Sequence, residues 1–348
     1  MGIFKKNSKV VAILKRWQKQ IMALTLTLVA LAGIALYQGY AFLTTPVGDP
    51  VSQVEFLVKP GDGMGRITQG LTQKGIVSNP LYFKLYARAT GAATQIKTGE
   101  YLFVGPQTPM EILATLKQGK VKLYRFTIPE GQNMFQIARR VAKTGLCNEK
   151  EFLTLCRDPR FIRELKVPSH TLEGYLYPDT YFFPITATCK DIIRKMVILF
   201  HGTLTPQWRK RAEDIGFTVQ EIVTLASMIE KETADAAERP LIASVFHNRL
   251  KRKMKLQSDP TVVYGDHEFK GRIRTKHLRR KTPYNTYTIK GLPLGPISNP
   301  GARALEAALY PATSDYLFFV SKNNSTHHFS VTLKEHNRAV RKYQLKRK

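Results

Sequence analysis

The 348 residues predict a mixed α+β protein carried on one membrane-spanning helix, and three observations lead there. Ile21 to Leu43 is a run of 23 residues without a charge, interrupted only by Gln38 and small residues, long enough to cross a bilayer as a helix. Beyond it, short β-patterned stretches alternate with Pro/Gly turns and helical repeats. Further on, Thr218 to Thr233 reads as an amphipathic helix with its own start signal.

Residues 1–20 form a basic N-terminus. Lys5, Lys6, Lys9, Lys15, Arg16 and Lys19 precede the apolar run, and Pro46, Asp49 and Pro50 follow it. The positive-inside rule therefore places the N-terminus in the cytoplasm and everything after the transmembrane helix, 21–43, outside. A cleaved signal peptide is the alternative, since Gly39-Tyr40-Ala41 offers a weak small-x-small site, but the run is longer than a usual signal core. Residues 44–51 hold two prolines and a glycine and read as a spacer. A small α+β module spans 52–120: a strand at Val54 to Val58, a turn at Lys59 to Gly63, helices from Arg66 to Lys74 and Pro80 to Thr90, a strand at Gly99 to Val104 and a helix from Pro109 to Gln118. The stretch Arg125-Phe-Thr-Ile-Pro-Glu-Gly131 echoes Val54-Glu-Phe-Leu-Val-Lys-Pro-Gly61, so 121–165 is expected to be a second small module or connector. From 166 to 345 aromatic, Pro/Gly-rich loops surround a few helices, as expected of a functional domain.

An apolar fraction of 43% can supply real cores, and the formal charge of +28 favours polyanionic partners. The predicted topology removes nucleic acid from that list and leaves an anionic cell wall or lipid headgroups. Cys147, Cys156 and Cys189 are too few for a disulfide framework or a zinc site. Cys147 and Cys156 could bridge, leaving one thiol unpaired. His327 and His328 are adjacent without further ligands at suitable spacing, so no metal or cofactor is expected.

In the 218–233 helix, Thr218 and Glu221 form a capping box, and Ile222, Leu225, Ala226 and Ile229 repeat at helical spacing. At 100° per residue Glu230 and Glu232 fall on opposite flanks of that stripe, with Lys231 towards solvent. Retaining glycosidases hold two carboxyls about 5 Å apart around one bond, so these two do not form such a pair. Either could act alone as a proton donor; periodicity leaves the choice open, and a plain solvated helix end remains the simpler reading.

Three loop blocks carry the polar and aromatic groups that sugar grooves use: Leu172-Glu-Gly-Tyr-Leu-Tyr-Pro-Asp-Thr-Tyr181, Leu256-Gln-Ser-Asp-Pro-Thr-Val-Val-Tyr-Gly265, and Thr282-Pro-Tyr-Asn-Thr-Tyr-Thr-Ile-Lys-Gly291 continuing into Leu292-Pro-Leu-Gly-Pro-Ile-Ser-Asn-Pro-Gly301. Together with Ala226-Ser-Met-Ile-Glu-Lys-Glu-Thr233, Val245-Phe-His-Asn-Arg-Leu250 and His327-His-Phe-Ser-Val-Thr-Leu-Lys-Glu-His-Asn337, they closely resemble the YceG-like family of endolytic murein transglycosylases, over about residues 45 to 340. A membrane anchor followed by a LysM-like region, a type found in wall-binding proteins, is also that family's layout. Asn324-Ser325-Thr326 stands where family members often have a Gly-Gly pair, and Leu294 where a second proline is common.

The resemblance implies a lyase that cuts the β-1,4 bond between N-acetylmuramic acid and N-acetylglucosamine in nascent peptidoglycan strands. The products would carry 1,6-anhydro ends and elongation would stop. It selects Glu232 as the catalytic acid and leaves Glu230 as a supporting one. Partial burial beside Leu225 and Met228 is expected to raise the Glu232 pKa to about 6 to 7. Glu173, Gln257, Ser258, Asp259, Asn285 and Tyr287 are the candidates for binding sugar hydroxyls, acetamido groups or ring charge, with loop-bracing hydrogen bonds as the alternative for each. The expected partners are glycan strands, the inner membrane crossed once, and the synthases that make the strand. Two rival readings stay open: a non-catalytic wall-binding scaffold, and a lysozyme-like hydrolase using the same acid with water.

Overall fold

The computed structural model of the chain describes residues 3–233, 235–266 and 271–345, with side chains from Leu14 onward. Its contacts divide it into two compact units, Met1–Lys122 and Leu123–Lys348.

The first unit begins with α1 (Ile3–Thr44), which extends the expected apolar run in both directions. Within it, Leu14–Thr44 is long and apolar enough to cross a membrane, a test that a signal sequence also passes. The side chains of Lys5, Lys6 and Lys9 lie outside the described residues. There follow β1 (Gln53–Val58), α2 (Met64–Gln73), α3 (Pro80–Ala89), β2 (Gly99–Val104) and α4 (Pro109–Gln118). The two strands pair antiparallel, with Phe56 opposite Tyr101. Local chemistry sets the helix starts. The Asn79 side chain accepts the amides of Leu81 and Tyr82 ahead of Pro80, and Thr108 and Glu111 cap each other ahead of Pro109. Leu71, Phe83, Ile112 and Leu116 close the core. Tyr101 joins them fully buried because its hydroxyl donates to the carbonyls of Lys97 and Leu116, so no polar atom is left unpaired.

The second unit contains β3 (Leu123–Thr127), α5 (Met134–Ala142), α6 (Glu149–Leu155), α7 (Pro159–Glu164), β4 (Thr180–Pro184), α8 (Cys189–Thr203), α9 (Pro206–Asp214), α10 (Val219–Glu232) and α11 (Arg239–Lys251). Short helices α12 (Pro260–Val263) and α13 (Thr275–Leu278) interrupt the long loops. Then come α14 (Ala302–Leu309), β5 (Phe318–Ser321), β6 (His327–Ser330) and α15 (Leu333–Val340). β3 pairs antiparallel with β4, and β5 with β6.

Two expectations are corrected here. The stretch 121–165 does not close on itself: β3 finds its partner in β4, past residue 165, and Phe126, Ile137 and Phe152 share one core with Ile193, Leu225 and Leu305. A strand needs a ladder for its backbone groups, and the nearest one lies beyond the change of texture that suggested a boundary. Among the cysteines, Cys147 bridges to Cys189, with Cα atoms 5.2 Å apart, while Cys156 is a buried free thiol. Sequence proximity favoured Cys156, but that residue caps the C-terminal end of α6 and is fully buried in the core.

α10 runs through the centre of this unit, with Ile222 to Ile229 all buried. Two loops are fastened along it. Ser227 Oγ accepts the Ile297 amide at 3.0 Å, and Ser298 Oγ donates to the Ser227 carbonyl at 3.1 Å. Gly174, at φ +88°, lets the 172–176 loop approach so closely that a Cβ would meet Pro296 and Val223 at under 3 Å.

Candidate functional site

Glu232 is the last residue of α10, and Thr233 takes an extended conformation that turns the chain away. The helix is held at its far end by the Thr218–Glu221 capping box, so the carboxyl emerges at a fixed height and direction. It opens into a cleft of about 300 Å³ shared with Arg249, Gln257, Asp259, Tyr287 and His336. Leu256, Leu333, Phe318 and Phe319 supply apolar walls.

The Glu232 side chain retains some surface access, all of it consistent with an opening into the cleft, yet protein crowds the carboxyl closely enough to strip most of its water. That burial pushes its pKa up to about 7; the nearby Asp259 charge adds to the rise, while the Ser258 hydrogen bond and Arg249 oppose it. The carbonyl end of a helix also disfavours a negative charge. Ser258 Oγ donates to Glu232 Oε1 at 2.5 Å. Among the described residues Oε2 has no hydrogen-bond partner, which leaves one oxygen for a ligand. A carboxylic acid that keeps its proton near neutrality, with one free oxygen in an open cleft, can deliver that proton to a leaving oxygen.

The loop carrying Ser258 is locked by hydroxyl groups. The Ser258 amide donates to Thr286 Oγ1, Thr261 and Thr286 share a 2.8 Å hydrogen bond, and Thr261 Oγ1 donates to the Ser258 carbonyl. Tyr287 donates its phenol proton to Asp259 Oδ1 at 2.5 Å, joining two cleft side chains directly. Burial, followed by that bond, raises the tyrosine's pKa, so it remains a donor.

The structure thus brings Glu232, Gln257, Ser258, Asp259 and Tyr287 together. Glu173 and Asn285 do not fit direct sugar contact. Glu173 is 1% exposed and its oxygens are taken by the Met134 amide, the Tyr264 hydroxyl at 2.9 Å and Asn299 Nδ2 at 2.8 Å. Asn285 is wholly buried; its Nδ2 donates to the carbonyls of Leu278 and Arg280 and more weakly to that of His277. Both brace loops, as turn chemistry allows. Ser258, 2% exposed, holds the acid and has no surface left for sugar. Glu230 is turned away from the cleft: its side chain pairs with Arg239 at 2.8 Å and accepts the Gly301 amide at 3.0 Å.

Sequence reasoning missed Arg249, His336 and the Phe318–Phe319 wall. Arg249 is buried, donating to the carbonyls of Leu317 at 2.6 Å and Leu256 at 2.7 Å, with its guanidinium over the Phe318 ring. It thereby ties α11 to β5 and to the loop that carries Ser258. A buried arginine in a helix reads as a surface charge until the carbonyls it satisfies are known. His336 stacks on Phe318 at 5.2 Å and its pKa is lowered, chiefly by burial. Both lie in blocks singled out from the sequence, and block membership was the available signal.

These parts define a cleft with polar and aromatic walls in which Glu232 is a proton-holding acid beside a second carboxyl, Asp259. A profile of the YceG-like family matches residues 56–342. A Bacillus subtilis (strain 168) protein named endolytic murein transglycosylase is 33% identical over 326 residues, covering 89% of this chain and 90% of that protein. A protein of the same name from Streptococcus pneumoniae serotype 2 is 30% identical over 85% of this chain, which spans only 60% of that longer protein. The crystal structure of a yceG-like protein from Listeria monocytogenes superposes with a TM-score of 0.58 at 34% identity, covering 82% of this chain and 98% of that one. The chain belongs to the YceG-like family.

Proposed function

We propose that this protein is an endolytic murein transglycosylase that cuts the N-acetylmuramyl-β-1,4-N-acetylglucosamine bond inside nascent strands, leaves 1,6-anhydro ends and so ends elongation. The observation that carries the reading is Glu232: an acid with a raised pKa and one oxygen free, at the end of a rigid helix in an open cleft. The relatives named for this activity support it.

In the first half of the reaction Glu232 gives its proton to the glycosidic oxygen as the bond from the muramyl anomeric carbon breaks. The C6 hydroxyl oxygen of the same sugar then bonds to that carbon, and its proton returns to the Glu232 carboxylate. No water is consumed and no second nucleophilic carboxylate is required; Asp259, the other carboxyl of the cleft, accepts the Tyr287 hydrogen bond. Asp259 faces the positive charge that develops on the ring, Gln257 and Tyr287 bind hydroxyl or acetamido groups, and Ser258 and Arg249 hold the acid and its loop in register.

The unit Leu123–Lys348 contains every residue of this cleft and takes the catalytic role. For the first unit we assign wall binding of the LysM type, supported by its order of strand, two helices and strand with the strands paired antiparallel. α1 serves as a single-pass anchor with the N-terminus in the cytoplasm and the rest in the periplasm, beside the synthases. The disulfide between Cys147 and Cys189 accords with an oxidising compartment.

The test is mass spectrometry of glycan ends after the full-length protein in detergent micelles is incubated with uncrosslinked peptidoglycan strands, beside Glu232→Gln. Internal cuts with anhydro ends, lost in the variant, are expected. Reducing ends would make the enzyme a hydrolase, and cutting unaffected by the substitution would remove Glu232 from the role.

A further inference from the structure

The cleft is bordered by basic residues that the chemistry does not use. Lys251, Arg252, Lys253 and Lys255 lead from the end of α11 into the cleft residue Gln257, and all four are exposed. Lys253 is four residues before Gln257, so it stands within about 15 Å of it even on a fully extended chain. On the other side, Asn285 grips the carbonyls of Leu278 and Arg280, which draws the exposed Arg279, Arg280 and Lys281 towards the loop that carries Tyr287. Lys255 Nζ joins the two sides by donating to the Tyr287 carbonyl at 3.0 Å. Arg280 pairs with Asp266 at 3.1 Å, but among the described residues the other six cations have no carboxylate partner.

Surface lysines and arginines with no role commonly sit among acids of opposite sign. Here they form two same-sign arms that Lys255 brings together at the cleft loop carrying Tyr287, an arrangement that focuses potential and attracts a polyanion. The substrate of the proposed reaction is such a polymer by virtue of its peptide branches: the lactyl carboxyl of each muramyl sugar is tied up in the amide that holds the peptide, and the peptides carry free carboxylates at regular intervals along the strand. We infer that the two basic arms, Lys251 to Lys255 and Arg279 to Lys281, bind the carboxylates of the peptide branches near the scissile bond, making the enzyme selective for strands whose peptide carboxylates are free over strands in which they are amidated. This rests on the glycan-cutting reading above and deepens it.

Charge attraction to an exposed rim acts on encounter and binding, is weakened by salt, and leaves the chemical step alone. The experiment uses the full-length protein in micelles, with strands carrying their peptides and the same strands with the peptide carboxylates converted to primary amides by carbodiimide coupling to ammonia, at low and high salt. The unsubstituted protein is expected to show a KM about tenfold lower on strands with free carboxylates than on amidated ones at low salt, an advantage that fades at high salt. A quadruple variant, Lys251→Gln, Arg252→Gln, Arg279→Gln and Lys281→Gln, is expected to lose that advantage while its kcat and its KM on amidated strands stay the same. Equal KM for both strands in the unsubstituted protein would overturn the inference, as would an equal loss on both strands in the variant. Binding to vesicles containing anionic phospholipid is measured alongside; if the variant loses vesicle binding and keeps strand preference, the arms serve the lipid surface instead. Strand binding by the Glu232→Gln protein, measured by sedimentation, separates the two readings: carboxylate-dependent, salt-sensitive binding without any cutting in the unsubstituted protein would sink the reaction and keep the arms.

Discussion

Glu173 and Glu232 are two buried acids in the same unit, each pushed up to about 7 chiefly by burial. Glu173 is sealed. Three partners outside its own loop, Met134, Tyr264 and Asn299, occupy both oxygens, and Asn299 extends the knot to the Gln132 carbonyl and the Leu176 amide. Glu232 has one donor, Ser258, and faces a cleft. A shifted pKa therefore does not by itself mark a catalytic acid. What separates the two is a free oxygen that a ligand can reach.

That contrast is broken most sharply by substitution at each acid. Glu232→Gln is expected to lower the cutting rate by about a thousandfold, the scale of a lost general acid, with an unchanged melting curve. Glu173→Leu should do the reverse: it leaves buried donors unpaired, costs about 3 kcal/mol of stability, and shows in the melting temperature before it shows in the rate of the protein still folded.

The pH dependence of stability sharpens the comparison. Because the Glu173 pKa is about 7 in the fold against an ordinary 4.5, the native state holds a proton that the unfolded chain releases between those values. Its contribution is complete below about pH 4.5 and declines as pH rises to about 7, by on the order of 3 kcal/mol. Thermal melts across that window should show the decline, and Glu173→Gln should remove the Glu173 share of it while the part that Glu232 adds by the same linkage remains. The same window gives Glu232 a kinetic signature: kcat/KM should be level below about pH 7 and fall about tenfold per pH unit above it. Asp259→Asn removes a like charge and moves that limb to lower pH, whereas substitution at Glu173 leaves it in place.

The smallest effect concerns how the acid is aimed. Thr218→Ala removes the cap at the opposite end of α10 and should cost about 1 kcal/mol in the melting curve. Since the packed core still holds the helix, the rate should hardly change.

The elements of the first unit were legible because their signals are local. Gly99–Val104 and Pro109–Gln118 match their expected ranges residue for residue, since a β-patterned run and a Thr-Pro-x-Glu start depend on neighbours in sequence. The α10 cap and stripe were legible for the same reason, as was the existence of loops rich in sugar-binding residue types. The pairing of β3 with β4 and the choice of Cys189 over Cys156 were not, because each joins residues far apart in sequence.

By itself the sequence determined the apolar helix, the α+β elements, the two acids at the end of α10 and, through its ordered blocks, a resemblance to the YceG-like family. Tertiary structure decided which polar residues reach a ligand. Glu173 and Asn285 look like sugar-binding residues in a loop read one residue at a time, yet both are spent on holding loops together, while Arg249 and His336 come to the cleft from helices distant in sequence. Residue type fixes what a side chain can do. Burial and the partners it meets across the fold fix which of its hydrogen bonds remain free, and those are long-range quantities that local pattern does not contain.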